Sequence, residues 1–318
     1  MMETIGVIGL GLLGRGIASC LLAHGKTVIV YALESREFDT AKTAIQDAFD
    51  ELVRHGAMAA DDCGRPLERL HCASSLEELS RCEFVIESIT ESLSAKRALY
   101  AQLEAILGND VVIATNTSSM SIADLQAELK HPGRLIGMHW AEPAYATWFL
   151  ELVRGRATTD RAIECACSLA TELQKEPCVV SSDMPGFIAN RLAYAIYREA
   201  LNLLRKGVAD AETIDRAFRN SVGLWAAVCG PLRWIDLAGG PALYLRAMNN
   251  VLPTLSNASD TEQLQSSAVP DNGKGIIDGN GFYSYSETEA ADWTERFHRH
   301  VWAIHSIHQN EFPRRYQQ

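Results

Sequence analysis

His139 and Glu151 stand twelve positions apart, downstream of a glycine-rich turn at Gly9, Gly11 and Gly14. An imidazole serves as a general base when a carboxylate fixes one ring nitrogen and leaves the other to a substrate proton. A glycine turn that follows a strand and opens a helix offers backbone N–H groups to a pyrophosphate. The two features together predict hydride transfer between a nicotinamide cofactor and a secondary alcohol or its ketone. On spacing alone, a satisfied strand-end histidine and a surface glutamate would be the better account. The motifs around them reverse that balance.

In Gly9-Leu10-Gly11-Leu12-Leu13-Gly14 the first glycine permits the tight turn, the second lets backbone approach phosphate, and the third lets helix and sheet pack closely. Gly9, Gly11, Leu12, Leu13 and Gly14 are therefore the candidate phosphate contacts. An acidic residue normally ends the second strand and holds the adenosine ribose. In Val28-Ile29-Val30-Tyr31-Ala32-Leu33-Glu34-Ser35-Arg36 the expected place, near position 32, is alanine. Glu34 can substitute from two residues on, which favours NAD. Ala32 with Ser35 and Arg36 would instead suit a 2′-phosphate, so NADP stays open.

The elements that must position these residues are legible as alternating patterns. Residues 5–9, 27–31, 84–87, 111–115, 135–139 and 149–153 read as strands, and 12–24, 40–55, 94–107 and 160–173 as helices. Such alternation predicts an α/β fold with a Rossmann-type, doubly wound, largely parallel sheet. Residues 40–79 exceed what a crossover needs and predict a helical excursion projecting from the sheet. After Pro185-Gly186 the pattern is helical to about Leu255, then polar and glycine-rich over 256–281, then helical again over 289–309. The expected division is a dinucleotide-binding domain over 1–183 and an all-helical substrate and dimerisation domain over 184–318.

Composition narrows the partners. Hydrophobic residues make up 47% and charged ones 22%, as in an ordinary globular chain. A net charge of −11 argues against nucleic acid or an anionic membrane as the main partner. No apolar run reaches the roughly 18 residues of a bilayer span, and the opening Thr4-Ile5-Gly6-Val7-Ile8 reads as a strand, not a signal peptide. The eight cysteines, at 20, 63, 72, 82, 165, 167, 178 and 229, are scattered and read as reduced thiols in a cytoplasm. Cys165 and Cys167 read as packing. His298, His300, His305 and His308 cluster in the last helix, but no acidic or thiol ligand completes a site, so no metal is expected.

Five segments extend the pattern: Thr115-Asn116-Thr117-Ser118-Ser119, Gly137-Met138-His139, Asp183-Met184-Pro185-Gly186-Phe187-Ile188-Ala189-Asn190-Arg191, Gly230-Pro231 and Gly279-Asn280-Gly281-Phe282-Tyr283-Ser284-Tyr285. In this order they resemble the 3-hydroxyacyl-CoA dehydrogenase family over about residues 4 to 285. The longer chain looks more like the branch that contains L-gulonate 3-dehydrogenase (lambda-crystallin-like) and carnitine dehydrogenase. The resemblance implies that His139 is the general acid/base and Glu151 its orienting partner, with Ser118 and Asn190 holding substrate oxygens. It implies further that Glu91 and Lys96 form an acidic and basic pair beside the cofactor, and that Asn116 lies near the nicotinamide ribose. A homodimer formed through the helical domain is also implied, as is a place in fatty acid metabolism.

The chain departs from the family at informative places. Three residues after the histidine the family usually carries asparagine before proline; here the pair is Glu142-Pro143. A carboxylate there can still accept from the nicotinamide carboxamide, but its charge would favour a substrate with an amine or another donor near the carbonyl. A lysine common in acyl-CoA members before the Gly-x-Gly-Phe-Tyr segment is absent, position 277 being isoleucine. The 40–79 segment, which carries CoA contacts in those members, holds only Lys42, Arg54, Arg65 and Arg69. Family frequency favours a 3-hydroxyacyl-CoA substrate, with a free 3-hydroxy acid, gulonate- or carnitine-like, as the alternative. A non-catalytic nucleotide-binding protein is the alternative class, opposed by the intact His139–Glu151 pair. A 6-phosphogluconate-like or β-hydroxyacid dehydrogenase would need a lysine that the helical run, with Lys206 alone, does not place near Pro185-Gly186.

Overall fold

The computed structural model describes residues 2–60, 65–265, 270 and 273–312. Cys63, residues 266–269 and residues 271–272, on which sequence expectations fell, lie outside the described residues; the other seven cysteines are free thiols.

Eight strands form one sheet in the order β3-β2-β1-β4-β5-β6-β7-β8. They are β1 (Thr4–Ile8), β2 (Thr27–Tyr31), β3 (Leu70–Cys72), β4 (Phe84–Glu87), β5 (Val112–Thr115), β6 (Leu135–Trp140), β7 (Phe149–Val153) and β8 (Glu176–Val180). Every pairing is parallel except β6 with β7. The first six strands follow the doubly wound dinucleotide-binding order. Central strands are buried along their whole length, β4, β5 and β6 without an exposed residue, because helices cover both faces of such a sheet. Those helices are α1 (Leu12–Ala23), α2 (Ser35–Arg54), α3 (Leu93–Ile106), α4 (Ile122–Gln126) and α5 (Asp160–Glu172).

Two strands escape the sequence pattern, and both are sheet edges. β3 is three residues long with one half-buried and two exposed positions. β8 contains Pro177 and is largely exposed. Edge strands that are short, polar or proline-bearing resist pairing with other chains, and those same traits erase the alternation that announces a strand. The 40–79 excursion is corrected accordingly: α2 starts at Ser35, and the segment returns to the sheet as β3.

The chain divides after Asn190, in the first turn of α6 (Ala189–Arg205), into two compact units. The second unit is helical: α7 (Ala211–Asn220), α8 (Val222–Ala226), α9 (Pro231–Leu237), α10 (Pro241–Val251) and α11 (Glu287–Glu311). Trp225 and Trp234 stack at 5.4 Å between α8 and α9. Ser286 and Glu289 form a reciprocal capping box that starts α11. In α11, His308 Nε2 meets the Ala227 carbonyl at 3.0 Å and His305 meets Gln309 at 2.9 Å. Among the described residues no group of three metal-ligating side chains converges, and no helix is long and apolar enough to cross a membrane.

Candidate active site

Parallel neighbours end their strands at the same edge of the sheet, so β1, β4, β5 and β6 deliver their following loops to one rim. The glycine turn lies there. Gly9 has φ +91, and a Cβ on it would stand 2.5 Å from the Ser88 carbonyl oxygen. A Cβ on Gly14 would stand 1.9 Å from the Gly9 carbonyl oxygen. Neither position tolerates a side chain. A Cβ on Gly11 would meet nothing within 4 Å, so that glycine keeps open the space above the turn. Gly11 caps α1 with no side-chain hydrogen bond, and the first turn holds no acidic residue. The N–H groups of Leu12, Leu13 and Gly14 thus present an uncompensated positive helix end to that space. These residues fit the pyrophosphate of a dinucleotide, and Leu12 is half exposed beside the open space.

Glu34 follows β2, whose parallel pairing with β1 carries its loop to the same rim. It precedes α2 as its N-cap, three residues past Tyr31, and its carboxylate pairs with Arg36 at the surface.

The loops after β4 and β5 rest on a carboxylate that sequence reasoning did not single out. Glu87, fully buried at the end of β4, accepts from Lys96 Nζ at 2.6 Å, Tyr100 Oη at 2.5 Å, Thr115 Oγ1 at 2.8 Å and the Ile89 amide at 2.7 Å. A buried carboxyl group is costly unless its oxygens are met by such a donor set. Burial and the charge of Glu87 push the Tyr100 hydroxyl well up, which keeps it a donor. Lys96, itself buried, therefore serves Glu87 first and reaches Glu91 at 3.5 Å. A lone acid closing an otherwise apolar strand was the available signal.

Glu91 in turn organises the loop after β5. It accepts from the Thr117 hydroxyl, from the amides of Ser118 and Ser119 at 3.2 Å each, and from Ser119 Oγ at 2.9 Å. Burial alone would raise its pKa, but the Thr117 hydrogen bond and the Lys96 charge outweigh it, and the carboxyl sits below the usual range. Asn116 bridges two strands, accepting the Trp140 amide at 3.0 Å and donating to Ser88 Oγ at 3.1 Å.

His139 and Glu151 are directly opposed partners in the antiparallel β6–β7 ladder. Opposed residues share a sheet face with their Cβ atoms about 5 Å apart, so the ladder itself brings the two side chains together. His139 Nδ1 lies 2.7 Å from Glu151 Oε2. An ionised carboxylate only accepts, so Nδ1 carries the proton and Nε2 is left basic. Nε2 makes no hydrogen bond among the described residues. The other oxygen, Oε1, accepts the amides of Ile188 at 3.0 Å and Ala189 at 2.9 Å. Burial pushes the Glu151 carboxyl up, yet the His139 bond and these amides hold it below the ordinary value.

The segment that supplies those amides also supplies Asn190, whose Nδ2 donates to the Ser118 carbonyl at 3.0 Å. His139, Glu151, Ser118 and Asn190 are thus brought into one cluster. Glu142 begins the next loop. Its Oε2 would lie 3.4 Å from a Cβ placed on Gly16, so the glycine makes room for the carboxylate against α1. Lys175, buried, ties this loop down by donating to the Ala144 and Thr147 carbonyls, and its ammonium lies 5.2 Å over the Trp140 ring.

The chain is similar to known proteins over both of its units. Residues 4–184 match the 3-hydroxyacyl-CoA dehydrogenase NAD-binding domain, and residues 186–285 match the C-terminal domain of the same family. The chain is 37% identical over 238 residues to 3-hydroxyadipyl-CoA dehydrogenase of Escherichia coli K12, covering 75% of this chain but only 49% of that longer protein. It is 30% identical to 5-formyl-3-hydroxy-2-methylpyridine 4-carboxylate 5-dehydrogenase of Mesorhizobium japonicum, covering 90% of this chain and 92% of the relative. An L-carnitine dehydrogenase of a Pseudomonas species is 34% identical, over 80% of this chain and 78% of its own length. Among solved structures, a 5-formyl-3-hydroxy-2-methylpyridine 4-carboxylic acid 5-dehydrogenase, described as an NAD+-dependent dismutase, superimposes with TM-score 0.87 at 28% identity, covering 96% of this chain and 98% of that one. The 3-hydroxybutyryl-CoA dehydrogenase of Escherichia coli K12 does so with TM-score 0.72 at 32% identity, covering 89% and 60%.

Proposed function

Because the chain belongs to the 3-hydroxyacyl-CoA dehydrogenase family and is an NAD-dependent oxidoreductase of hydroxyl groups, we propose that it interconverts a free 3-hydroxy acid and its 3-oxo form with His139 as general acid/base. The observation that carries the chemistry is the buried dyad, with Nδ1 committed to Glu151 at 2.7 Å and Nε2 free to take a proton. In oxidation Nε2 accepts the substrate hydroxyl proton; in reduction the imidazolium returns it. Glu151 remains ionised and stabilises the charged ring. Ser118 and Asn190 hold the substrate oxygens at the same rim, and Asn116, with Glu142, borders the nicotinamide end. Gly9, Gly11, Leu12, Leu13 and Gly14 hold the pyrophosphate, and Glu34 takes the adenosine ribose. When bound, the nicotinamide supplies the two-electron acceptor that this chain's own residues lack.

A free acid is preferred over a CoA ester because the 40–79 segment holds only four cations, Lys42, Arg54, Arg65 and Arg69, and the last of them is turned inward. Arg69 donates inward, to the Leu22 carbonyl at 2.9 Å and the Lys26 carbonyl at 3.4 Å. The family lysine near position 277 is replaced by an exposed isoleucine. A CoA phosphate needs focused cations. Full-length likeness to a pyridine carboxylate dehydrogenase and partial likeness to carnitine dehydrogenases support the same reading. The second reading, a 3-hydroxyacyl-CoA, is favoured by the 37% identity to 3-hydroxyadipyl-CoA dehydrogenase. Initial rates of NADH formation decide: kcat/KM should be at least about tenfold higher for a free 3-hydroxy acid than for 3-hydroxybutyryl-CoA, a margin that one charged contact supplies. A higher value for the CoA ester reverses the assignment.

The helical unit leaves Leu224, Leu232 and Leu237 each more than two-thirds exposed. Apolar surface on that scale marks an association face, and a homodimer built on this unit accounts for it. Sedimentation equilibrium should give twice the chain mass of 35.0 kDa; a single-chain mass at micromolar concentration refutes the dimer.

A further inference from the structure

The turn before α6 contains two consecutive left-handed residues, Gly186 at φ +80 and Phe187 at φ +48. Glycine adopts that conformation freely, whereas a bulky aromatic residue does so only where its surroundings compel it. Phe187 is 2% exposed, and its ring lies 5.7 Å from the His139 ring at 60°. On another side Phe149, from β7, meets the same imidazole at 5.7 Å and 89°. The turn is closed by the Phe187 amide donating to the Met184 carbonyl at 2.9 Å. Its start is anchored by Asp183, whose Oδ2 accepts from Ser121 Oγ at 2.7 Å and the Ala123 amide at 2.8 Å. The two amides that follow Phe187 are the ones that Glu151 Oε1 accepts.

We propose that Phe187 is a positioning residue for the proton-transfer step: its ring, held edge-on by the left-handed turn, fixes the plane of the His139 imidazole while the next two amides fix Glu151. One local conformation therefore aligns both members of the dyad. A backbone requirement alone would be met by glycine at this position, without the unfavourable φ. The ring is what the unfavourable φ preserves.

This proposal rests on His139 being the base, and the test separates the two. The proton on Nδ1 bonded to a carboxylate gives a far-downfield proton NMR resonance in the cofactor-free protein, assigned by its loss in His139→Gln. Phe187→Leu keeps an apolar side chain, and Phe187→Gly keeps the turn without the ring. In both, kcat should fall about 10- to 100-fold, the loss that a small misplacement of a reacting group brings. NADH binding, followed by its fluorescence, should stay within about twofold, and the downfield resonance should broaden or vanish. Retention of kcat within about twofold by either variant with the resonance intact overturns the proposal. So does a parallel fall of kcat, NADH affinity and melting temperature in both, which marks plain packing. Should Leu fail to fold, Phe187→Met is read in its place. Full activity of His139→Gln would instead overturn the assignment of the base.

Discussion

His139→Gln should lower kcat by about 10²- to 10⁴-fold, the usual contribution of a positioned general base, while NADH binding stays near the wild-type value. Glutamine keeps a hydrogen-bonding group for Glu151 but has no basic atom at the place of Nε2. The cofactor contacts assigned to the glycine turn lie on a different loop, so affinity and turnover should separate. Steady-state kinetics with the preferred hydroxy acid and fluorescence titration with NADH measure the two quantities. A variant with kcat within fivefold of wild type would remove His139 from proton transfer and place the base at another residue.

Gly14→Ala should raise the NADH dissociation constant by at least about 100-fold, or roughly 2.8 kcal/mol at 1.4 kcal/mol per decade. The added methyl would sit 1.9 Å from the Gly9 carbonyl oxygen, against backbone that cannot rotate away. The helix must then withdraw from the turn, and the N–H groups of its first turn leave the phosphate position. Gly11→Ala is the informative companion. Its Cβ meets no protein atom within 4 Å, so the fold should be unharmed and only the dinucleotide displaced. Thermal unfolding separates the two: Gly14→Ala should melt lower than wild type and Gly11→Ala should not. Equal NADH affinity in wild type and Gly14→Ala would place the pyrophosphate elsewhere.

What the sequence disclosed and what it hid follow one physical divide. Central strands announce themselves because burial on both faces demands unbroken apolar runs, as in Phe84–Glu87 and Leu135–Trp140. The edge strands β3 and β8 hide because an edge is protected by breaking that pattern. The glycine turn is legible because a missing Cβ is written directly in the sequence. Side chains that act at a distance in the chain are not: Glu87 meets Thr115 across 28 positions, and only the sheet order brings them together. The same holds for Lys175, whose ammonium fastens a loop some thirty positions earlier. Phe187 was visible as a letter in a motif, but its left-handed backbone has no signature in residue type, since aromatic residues almost always avoid it.

The reversed direction of β7 carries a consequence for how this protein tolerates change in length. Side chains alternate between sheet faces along a strand, so sliding β7 by one position against β6 would put Leu150 or Leu152 opposite His139 and turn the acid to the far face. A deletion of one amino acid between Phe149 and Glu151 would therefore disarm the enzyme, whereas one amino acid gained in the hairpin tip between β6 and β7 could be absorbed as slack. Indels across this stretch should sort into two sharply different groups, divided at the point where the hairpin re-enters the ladder.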